Sequence, residues 1–507
     1  MIDPGRGAAA SPRPALRELS MKPGSIIAGI DLGTSSVKVL GLFADTHETA
    51  FLTRSGYEEN TPEGWWRAIC GALSQVEAPL RGQIAAIGLS SQVGTWVVWA
   101  EKSGDPGDEL FSSDAVISWR DAAGKEELDE VLSRFSPETF LSEIGMPHPK
   151  LISFPIPRIL HAARTFGQLR KICEPKDLLC EKLTGNYVSD PWSWRGLYHP
   201  KKRTYSRLFV QDVLQVPEAA LPRIIEPAGL AGSLTPQAAA ETGLPAGIPV
   251  YAGLNDFYSG LAGMGILESG TLFDITGTSE HLGITEDVLH PEENVVSGPY
   301  LRGYIRYGVT ASGGASFLYA HRELQDLYTL DISHVDVRRA PVFLPYVNGE
   351  RAPIFDPATS GAFLGILPET SREQMAYAVL EGIVFSLYHI YDTLGKPPAG
   401  RIITGGGLAD DPRLALLKAS VFGLPLLRLI EQESSALGAV MCASIGCGIF
   451  PDMEAAAAAL CRTEKMADPD PALTPLLRER YAVYRGLYPP LKESFHALHD
   501  LQRGPAI

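Results

Sequence analysis

The 507-residue chain has no excess of basic side chains: 44 Lys and Arg stand against 59 Asp and Glu, a formal net charge of -15. Nucleic acid or an anionic membrane as the main partner requires a basic face, so neither is expected. An anionic substrate at one local site is not excluded. There is no run of 18 apolar residues, so no transmembrane helix is expected. The six cysteines (Cys70, Cys173, Cys180, Cys442, Cys447 and Cys461) form no Cys-x-x-Cys pair and no His/Cys cluster at zinc spacing. They read as buried thiols in a reducing compartment. Residues 1–24 carry Pro4, Pro12, Pro14 and Pro23 but not the apolar stretch of a secretory signal. They are expected to be a disordered leader, with Met21 as an alternative start and the cytoplasm as the location. Also missing are a G-x-x-x-x-G-K-[ST] phosphate loop and a G-x-G-x-x-G after the first strand.

What is present is a soluble, globular composition, 45% hydrophobic and 20% charged. The length calls for two domains of roughly 200 to 250 residues. "SIIAGIDLGTSSVKVLGLF" from Ser25 reads as strand, Gly-Thr-Ser turn, strand, and "GTLFDITGTSEHLGITE" from Gly270 repeats that frame. Gly33 is placed where a positive φ or a close backbone approach is needed. Helices are read in "TPEGWWRAICGALSQV" (Thr61 cap, Pro62 first), "SPETFLSEIG", "IPRILHAARTFGQLRKIC", "PKDLLCEKLTG" (closed by Gly185), "MAYAVLEGIVFSLYHIYDTLG" and "SSALGAVMCASIG". "IAAIGLSSQVGTWVVW" reads as strand, turn, strand, and "RIITGGGLADDPRLALLKASVFG" as strand, glycine turn, helix. Strands and helices alternate in both halves, which predicts an α/β duplication with a cleft between two domains. The boundary is drawn near residue 250, giving domains 25–249 and 250–495.

A Gly-Thr-Ser turn after a strand exposes backbone N–H groups and a hydroxyl, and can hold phosphate oxygens without a charged side chain. One such turn is as readily a plain hairpin. Two in matching frames suggest two sides of a clamp on one polyphosphate. Asp31, just before the first turn, suits Mg²⁺ held through water, or alternatively caps the turn. Lys38 reads as solvent-facing.

Together these stretches resemble the FGGY family of carbohydrate kinases, within the actin/hexokinase/Hsp70-type, ribonuclease H-like ATPase fold, over about Ile26 to Ser494. "GIDLGTSSVKV" and "DITGTSEHLG" resemble the two phosphate motifs. "FLPYVNGERAP" at Phe343 is close to the xylulokinase-type stretch. "GAFLGILPETSREQMAYAVLEG" fits the C-terminal signature at Gly361, Phe363, Gly365, Ile366, Gln374, Met375, Ala378 and Glu381. "TGGGLADD" with "ESSALGA" resembles the adenosine-side segment.

The resemblance implies ATP and Mg²⁺ as cofactors and a small sugar or polyol as acceptor, with a homodimer as a common family state. It implies Asp256, in "NDFYSGLAG" with Gly263 seven positions on, as general base, and Asp31 at the Mg²⁺. Gly33, Thr34, Ser35, Gly277, Thr278 and Gly314 would hold phosphates, and Gly405, Gly406 and Asp410 fall on the adenosine side. Gln92, Val93, Gly94, Trp119, Asp121, Asn255 and Asp256 fall on the acceptor side.

The acceptor stretches depart from the pattern. Val93 and Gly94 replace a polar pair, Ser153 stands where Trp is usual, and Trp119-Arg120-Asp121 lacks its following arginine. Trp192 and Trp194 add aromatics to a sugar-side segment. The expected activity is transfer of the γ-phosphate of MgATP to a primary hydroxyl of a xylulose-like ketose or related sugar. A polyol or sugar-acid kinase is the alternative, and a non-catalytic nucleotide-dependent regulator of the same fold is the reading from another class.

Overall fold

The computed structural model describes residues 21–100, 113–147, 151–324, 330–431 and 433–503. The first twenty residues of the expected leader lie outside that set. Its end is fastened: Met21 packs on the core, and the Gly24 N–H donates to Asp45 at 3.2 Å.

Two large sheets organise the chain. The first orders its strands Leu230–Ser233, Pro249–Asn255, Ile84–Ser91, Ile26–Leu32, Ser36–Phe43 and Thr49–Gly56. The second orders Val296–Pro299, Tyr304–Thr310, Glu280–Glu286, Leu272–Thr276, Ile402–Gly406, Leu426–Leu429 and Thr463–Ala467. Each is built around an opening hairpin with a third antiparallel strand beside it. On the hairpin's other flank lie two parallel strands and then an antiparallel edge. The duplication read from the two turns is therefore a duplication of strand order.

The boundary drawn at 249/250 needs correction. The Gly/Pro-rich lead-in ends where strand Pro249–Asn255 begins, and that strand pairs in the first sheet. By pairing, the passage between sheets falls in 256–271.

Local signals held where capping chemistry was explicit. Thr61 accepts from the Gly64 N–H at 3.1 Å and opens helix Pro62–Ser74. Gly185 closes helix Pro175–Thr184 at φ 76°. Two readings differ. The Trp96–Ala100 strand leaves its neighbour and pairs with Ala115–Ile117 and Leu169–Cys173 in a separate sheet. The helix after Pro155 stops at Phe166, because Gly167 at φ 90° turns the chain into that third strand.

Side-chain alternation decides what each face of the first sheet meets. Ile26, Ala28, Ile30 and Leu32 face a core with Trp65, Ile69 and Leu178. Ile27 faces the opposite way, toward Val440 and Met441. Those two belong to helix Ser434–Gly446, which comes from the C-terminal half of the chain yet lies across the first sheet. Gly29 and Gly88 pair side by side in that sheet. A Cβ on Gly29 would stand 2.2 Å from the Ala436 carbonyl oxygen, and one on Gly88 1.9 Å from that of Ala439. Glycine is needed here because helix backbone rests directly on strand backbone.

Candidate active site

Asp31 lies two residues beyond Gly29 and shares its face, which is the one covered by helix Ser434–Gly446. It is 3% exposed, and its Oδ1 accepts from Ser90 Oγ at 2.9 Å. Burial raises its pKa, while Lys38 and the Ser90 hydrogen bond oppose the rise. Lys38 is not solvent-facing as read: it pairs with Glu433 at the head of the helix, and Arg54 reaches the same carboxylate at 2.7 Å. The Gly33–Ser35 turn follows. It is closed by the Gly33 N–H donating to the Ser36 carbonyl at 3.0 Å and is held by Tyr57 Oη donating to the Gly33 carbonyl at 2.5 Å. Gly33 is not among the positive-φ glycines; its constraint is close approach, with Ser36 O 3.3 Å from a would-be Cβ.

Asp256 opens helix Asp256–Gly263, capped by Asn255, whose Oδ1 accepts from the Tyr258 N–H at 3.1 Å. The helix crosses Ser434–Gly446 with its backbone almost in contact. A Cβ on Gly263 would lie 2.0 Å from the Ser434 carbonyl oxygen, and one on Gly438 2.0 Å from that of Ser259. Seven residues are about two helical turns, so Asp256 and Gly263 share the face that meets this partner. The Asp–Gly spacing is thus a packing requirement, and Ser435 Oγ also donates to the Asp256 carbonyl at 3.0 Å. Asp256 Oδ1 accepts from the Val93 N–H at 3.0 Å. Burial, then the charge of Asp31, push its carboxyl up to about 7 against the Val93 and Phe257 N–H groups and Lys38.

The second turn lies beyond Phe257. That ring sits 5.6 Å from His281, two residues past Ser279. Gly314 presses on the turn: its N–H donates to the Gly277 carbonyl at 2.8 Å, and a Cβ there would approach that oxygen to 2.5 Å. Ala315 donates to the Thr278 carbonyl at 3.0 Å. Gly406, at φ 102°, lies where a Cβ would be 2.1 Å from the Thr276 carbonyl oxygen, while Gly407 meets open space. Gly277, Thr278, Gly314, Gly405 and Gly406 are thereby brought together. Asp410, four residues past Gly406 in the same turn, is exposed, and its carboxylate pairs with Arg428. Below the turn, one cation, Lys418, serves two buried carboxylates, Asp274 at 2.6 Å and Glu280 at 3.2 Å. Burial first, and Asp274 as well, push Glu280 up to about 7.

At Val93 and Gly94 it is the backbone that makes the hydrogen bonds, to carboxylates of the protein itself. The Gly94 N–H donates to the buried Glu174 Oε1 at 2.9 Å, beside the Val93–Asp256 bond. Gly94 and Ser153, noted as separate departures, meet: a Cβ on Gly94, at φ 76°, would lie 2.6 Å from the Ser153 Cβ. Gln92 is buried and bonded to Tyr57, Asn60 and Thr95. Trp119 donates its indole N–H to Thr34 Oγ1 at 3.2 Å, tying the Trp119 segment to the first turn. Asp121 faces solvent, and its carboxylate accepts from the Ser118 N–H at 2.7 Å. Both ends of the Asn255 amide bond within the protein, to the Tyr258 N–H and the Trp192 carbonyl. Trp194 is core, donating to Asp177 at 3.0 Å, whereas Trp192 is partly exposed.

The sequence reading missed Tyr57, the Lys38–Glu433 tie and Arg195. Arg195 donates to Tyr258 Oη at 2.5 Å and Tyr307 Oη at 2.8 Å, joining helix Asp256–Gly263 to the second sheet. Only Lys38 had a local signal, as a cation opposite Asp31 across a hairpin.

Two neighbouring carboxylates, buried Asp31 and half-buried Asp256, favour a nearby cation, so the chemistry of this pair fits a divalent metal. Among the described residues no group of three or more His, Cys, Asp or Glu side chains gathers to hold a metal. A metal here would draw mainly on phosphate oxygens and water, which is how Mg²⁺ is usually held.

The N-terminal domain of the FGGY family of carbohydrate kinases matches residues 26–263, and its C-terminal domain matches 273–447. The chain is 27% identical to a xylulose kinase of Lactococcus lactis, over 93% of this chain and 98% of that enzyme. It is 24% identical to a glycerol kinase of Saccharopolyspora erythraea, over 85% and 92%. In fold it is similar to a gluconate kinase from Lactobacillus acidophilus, with a TM-score of 0.83 and 24% identity over 94% and 99% of the two chains. Matched in order by both family domains over most of its length, the chain belongs to the FGGY family of carbohydrate kinases, phosphotransferases that move a phosphate from ATP to an alcohol group of a sugar.

Proposed function

We propose that this kinase transfers the γ-phosphate of MgATP to a primary hydroxyl of a xylulose-like ketose or a closely related sugar, with Asp256 as general base. The observation that carries the reading is the Asp256 carboxyl: half-buried, oriented by the Val93 N–H at 3.0 Å, and raised to about 7. A base whose pKa lies near working pH is both deprotonated enough and basic enough to take a hydroxyl proton. The acceptor oxygen attacks the γ-phosphorus as its proton passes to Asp256. Most of the catalysis comes from positioning and charge neutralisation. The N–H groups around Gly33–Ser35 and Gly277–Thr278, with Gly314 behind the latter, are the proposed phosphate contacts. Gly405 and Gly406 are proposed on the adenosine side. Mg²⁺ would neutralise charge on the β- and γ-phosphates, with Asp31 as its protein ligand through water.

The ketose assignment rests on similarity to xylulose kinases in the sequence comparison. A cytoplasmic location is in keeping with six free thiols, and no helix among the described residues is long and apolar enough to cross a membrane.

A coupled ADP-release assay across ketoses, polyols and aldonic acids tests the reading, because a nucleotide-dependent regulator shows no acceptor-dependent turnover. With the best acceptor, kcat/KM at saturating MgATP is expected to rise with pH along a one-proton limb centred near 7, then level off. The sign follows from the active form being the carboxylate. A limb centred near 4, the ordinary carboxylate range, would remove Asp256 from the role. Asp31→Ala is expected to raise the Mg²⁺ concentration for half-maximal rate by at least about tenfold. An unchanged metal requirement would show that Asp31 serves only the fold.

A further inference from the structure

Strands Trp96–Ala100 and Leu169–Cys173 pair antiparallel with Val97 opposite Cys173, so the residues just before the first and just after the second arrive at one place. There Glu174, 1% exposed, meets the turn Gln92–Thr95, and its Oε1 accepts from the Gly94 N–H at 2.9 Å. The neighbouring N–H, that of Val93, donates to Asp256 Oδ1 at 3.0 Å. Two consecutive N–H groups of one turn are thus held by carboxylates from two helix heads, Glu174 before Pro175–Thr184 and Asp256 opening Asp256–Gly263. We propose that Glu174 is a positioning residue for the reaction: by accepting the Gly94 N–H it fixes the turn in the orientation that presents the Val93 N–H to Asp256, an inference that rests on Asp256 being the general base.

Glu174 is itself firmly set. Its N–H donates to Asp177 Oδ2 at 3.2 Å, and Asp177 also accepts from the Trp194 indole at 3.0 Å and pairs with the buried Lys176 at 3.2 Å. The Lys176 N–H reaches Ser91 Oγ at 3.0 Å, a second tie between the head of helix Pro175–Thr184 and the start of the turn. Within the turn, Thr95 Oγ1 donates to the Gln92 amide oxygen at 3.2 Å. The helix head is therefore a fixed frame on which the turn hangs at two points.

Stability alone does not account for an acid at this position. Glu174 Oε2 has no hydrogen-bond partner among the described residues, and a buried carboxyl served at one oxygen costs free energy that an apolar residue of similar size would not. What Oε1 does is hold Gly94, which has no side chain to steer the turn. The peptide planes on either side of Val93 are rigid and hinge on its Cα, so losing the tie at Gly94 frees the Val93 N–H to turn away from Asp256. A base misplaced by about 1 Å can cost about 10²-fold in rate.

The test is a double-mutant cycle on the full-length enzyme with its best acceptor. Glu174→Leu fills the space but offers no acceptor to Gly94, and is expected to lower kcat by about tenfold or more with both KM values within about twofold. In the Asp256→Asn background the same substitution is expected to cost less than about twofold, because the group it positions is gone. Glu174→Gln keeps an oxygen for the Gly94 N–H and should hold kcat within about threefold of wild type. An unchanged kcat in Glu174→Leu overturns the proposal. So does a loss of the same size in both backgrounds, the mark of a merely structural role, and so does a glutamine variant as impaired as the leucine one. If Glu174→Leu yields no folded protein, Ser91→Ala loosens the turn at its other tie and should lower kcat by about threefold, again only where Asp256 is present. Equal losses there, or none, overturn the proposal as well. Wild-type turnover in Asp256→Asn would remove the base reading and this role of Glu174 with it, whereas a crippled Asp256→Asn beside an unimpaired Glu174→Leu removes Glu174 alone.

Discussion

Asp256→Asn is expected to lower kcat by about 10²–10⁴-fold, the range that a general base contributes, with ATP affinity nearly unchanged. The amide keeps an acceptor for the Val93 N–H, so the side chain stays in place and only its basicity goes. The same substitution should stabilise the protein, with a sign fixed by linkage. The folded-state carboxyl is raised to about 7 from an ordinary value of 3.8, so between those values the folded state binds more protons than the unfolded one. Stability from this group is present below about 4 and is lost as pH rises through 7. At pH 8 the Asn variant, with no half-buried charge to hold, should be more stable than the wild type by about 1–3 kcal/mol, and the gap should close toward pH 4. Activity and thermal midpoint measured on one preparation check both parts. Wild-type turnover would remove the base assignment, and equal stability at pH 8 would mean that Asp256 is better compensated than its burial implies.

The opening strand-turn-strand frames were readable because every instruction they need is local: an apolar run, a small turn, a second apolar run. The helix caps at Thr61 and Gly185 were readable for the same reason. Asp256 was readable only through its spacing to Gly263, and the structure supplies the reason for the spacing in the Ser434 backbone that Gly263 admits. What sequence could not convey is which distant segment each residue meets. Gly94 and Ser153 looked like two losses; they are one fitted contact, since each is small where the other approaches. Val93 looked like a missing hydrogen-bonding side chain, although the group that matters is its N–H. The function of Glu433, pinned by Lys38 and Arg54, depends on two strands almost 400 residues earlier in the chain. Asp410 keeps its motif position in the turn after Gly406, and its carboxylate pairs with Arg428, a partner on strand Leu426–Leu429.

That long-range logic sets the second large effect, Gly88→Ala. The added methyl would stand 1.9 Å from the Ala439 carbonyl oxygen and 2.7 Å from its carbon. Backbone cannot rotate aside as a side-chain tip can, so helix Ser434–Gly446 must lift from the sheet. Gly29, its neighbour in register, resists the tilt that would spare Gly88, because Ala436 rests on it. Overpacking that moves backbone costs about 3 kcal/mol or more here, a large share of a typical folding free energy. The displaced helix begins at the residues that hold Lys38, Arg54 and the Asp256 carbonyl, so kcat/KM should fall along with the thermal midpoint. Gly486→Ala supplies the contrast: an ideal Cβ there meets nothing within 4 Å, in an exposed stretch of helix Leu473–Arg503. Alanine at that position should stabilise by roughly 0.5–1 kcal/mol through helix propensity alone, with turnover unchanged. The same substitution would then act in opposite directions at two glycines, separated only by whether another backbone occupies the space. A Gly88→Ala protein with wild-type midpoint and kcat/KM would show that the helix does not rest on the sheet in solution, and the placement of Asp256 between the two turns would lose its support.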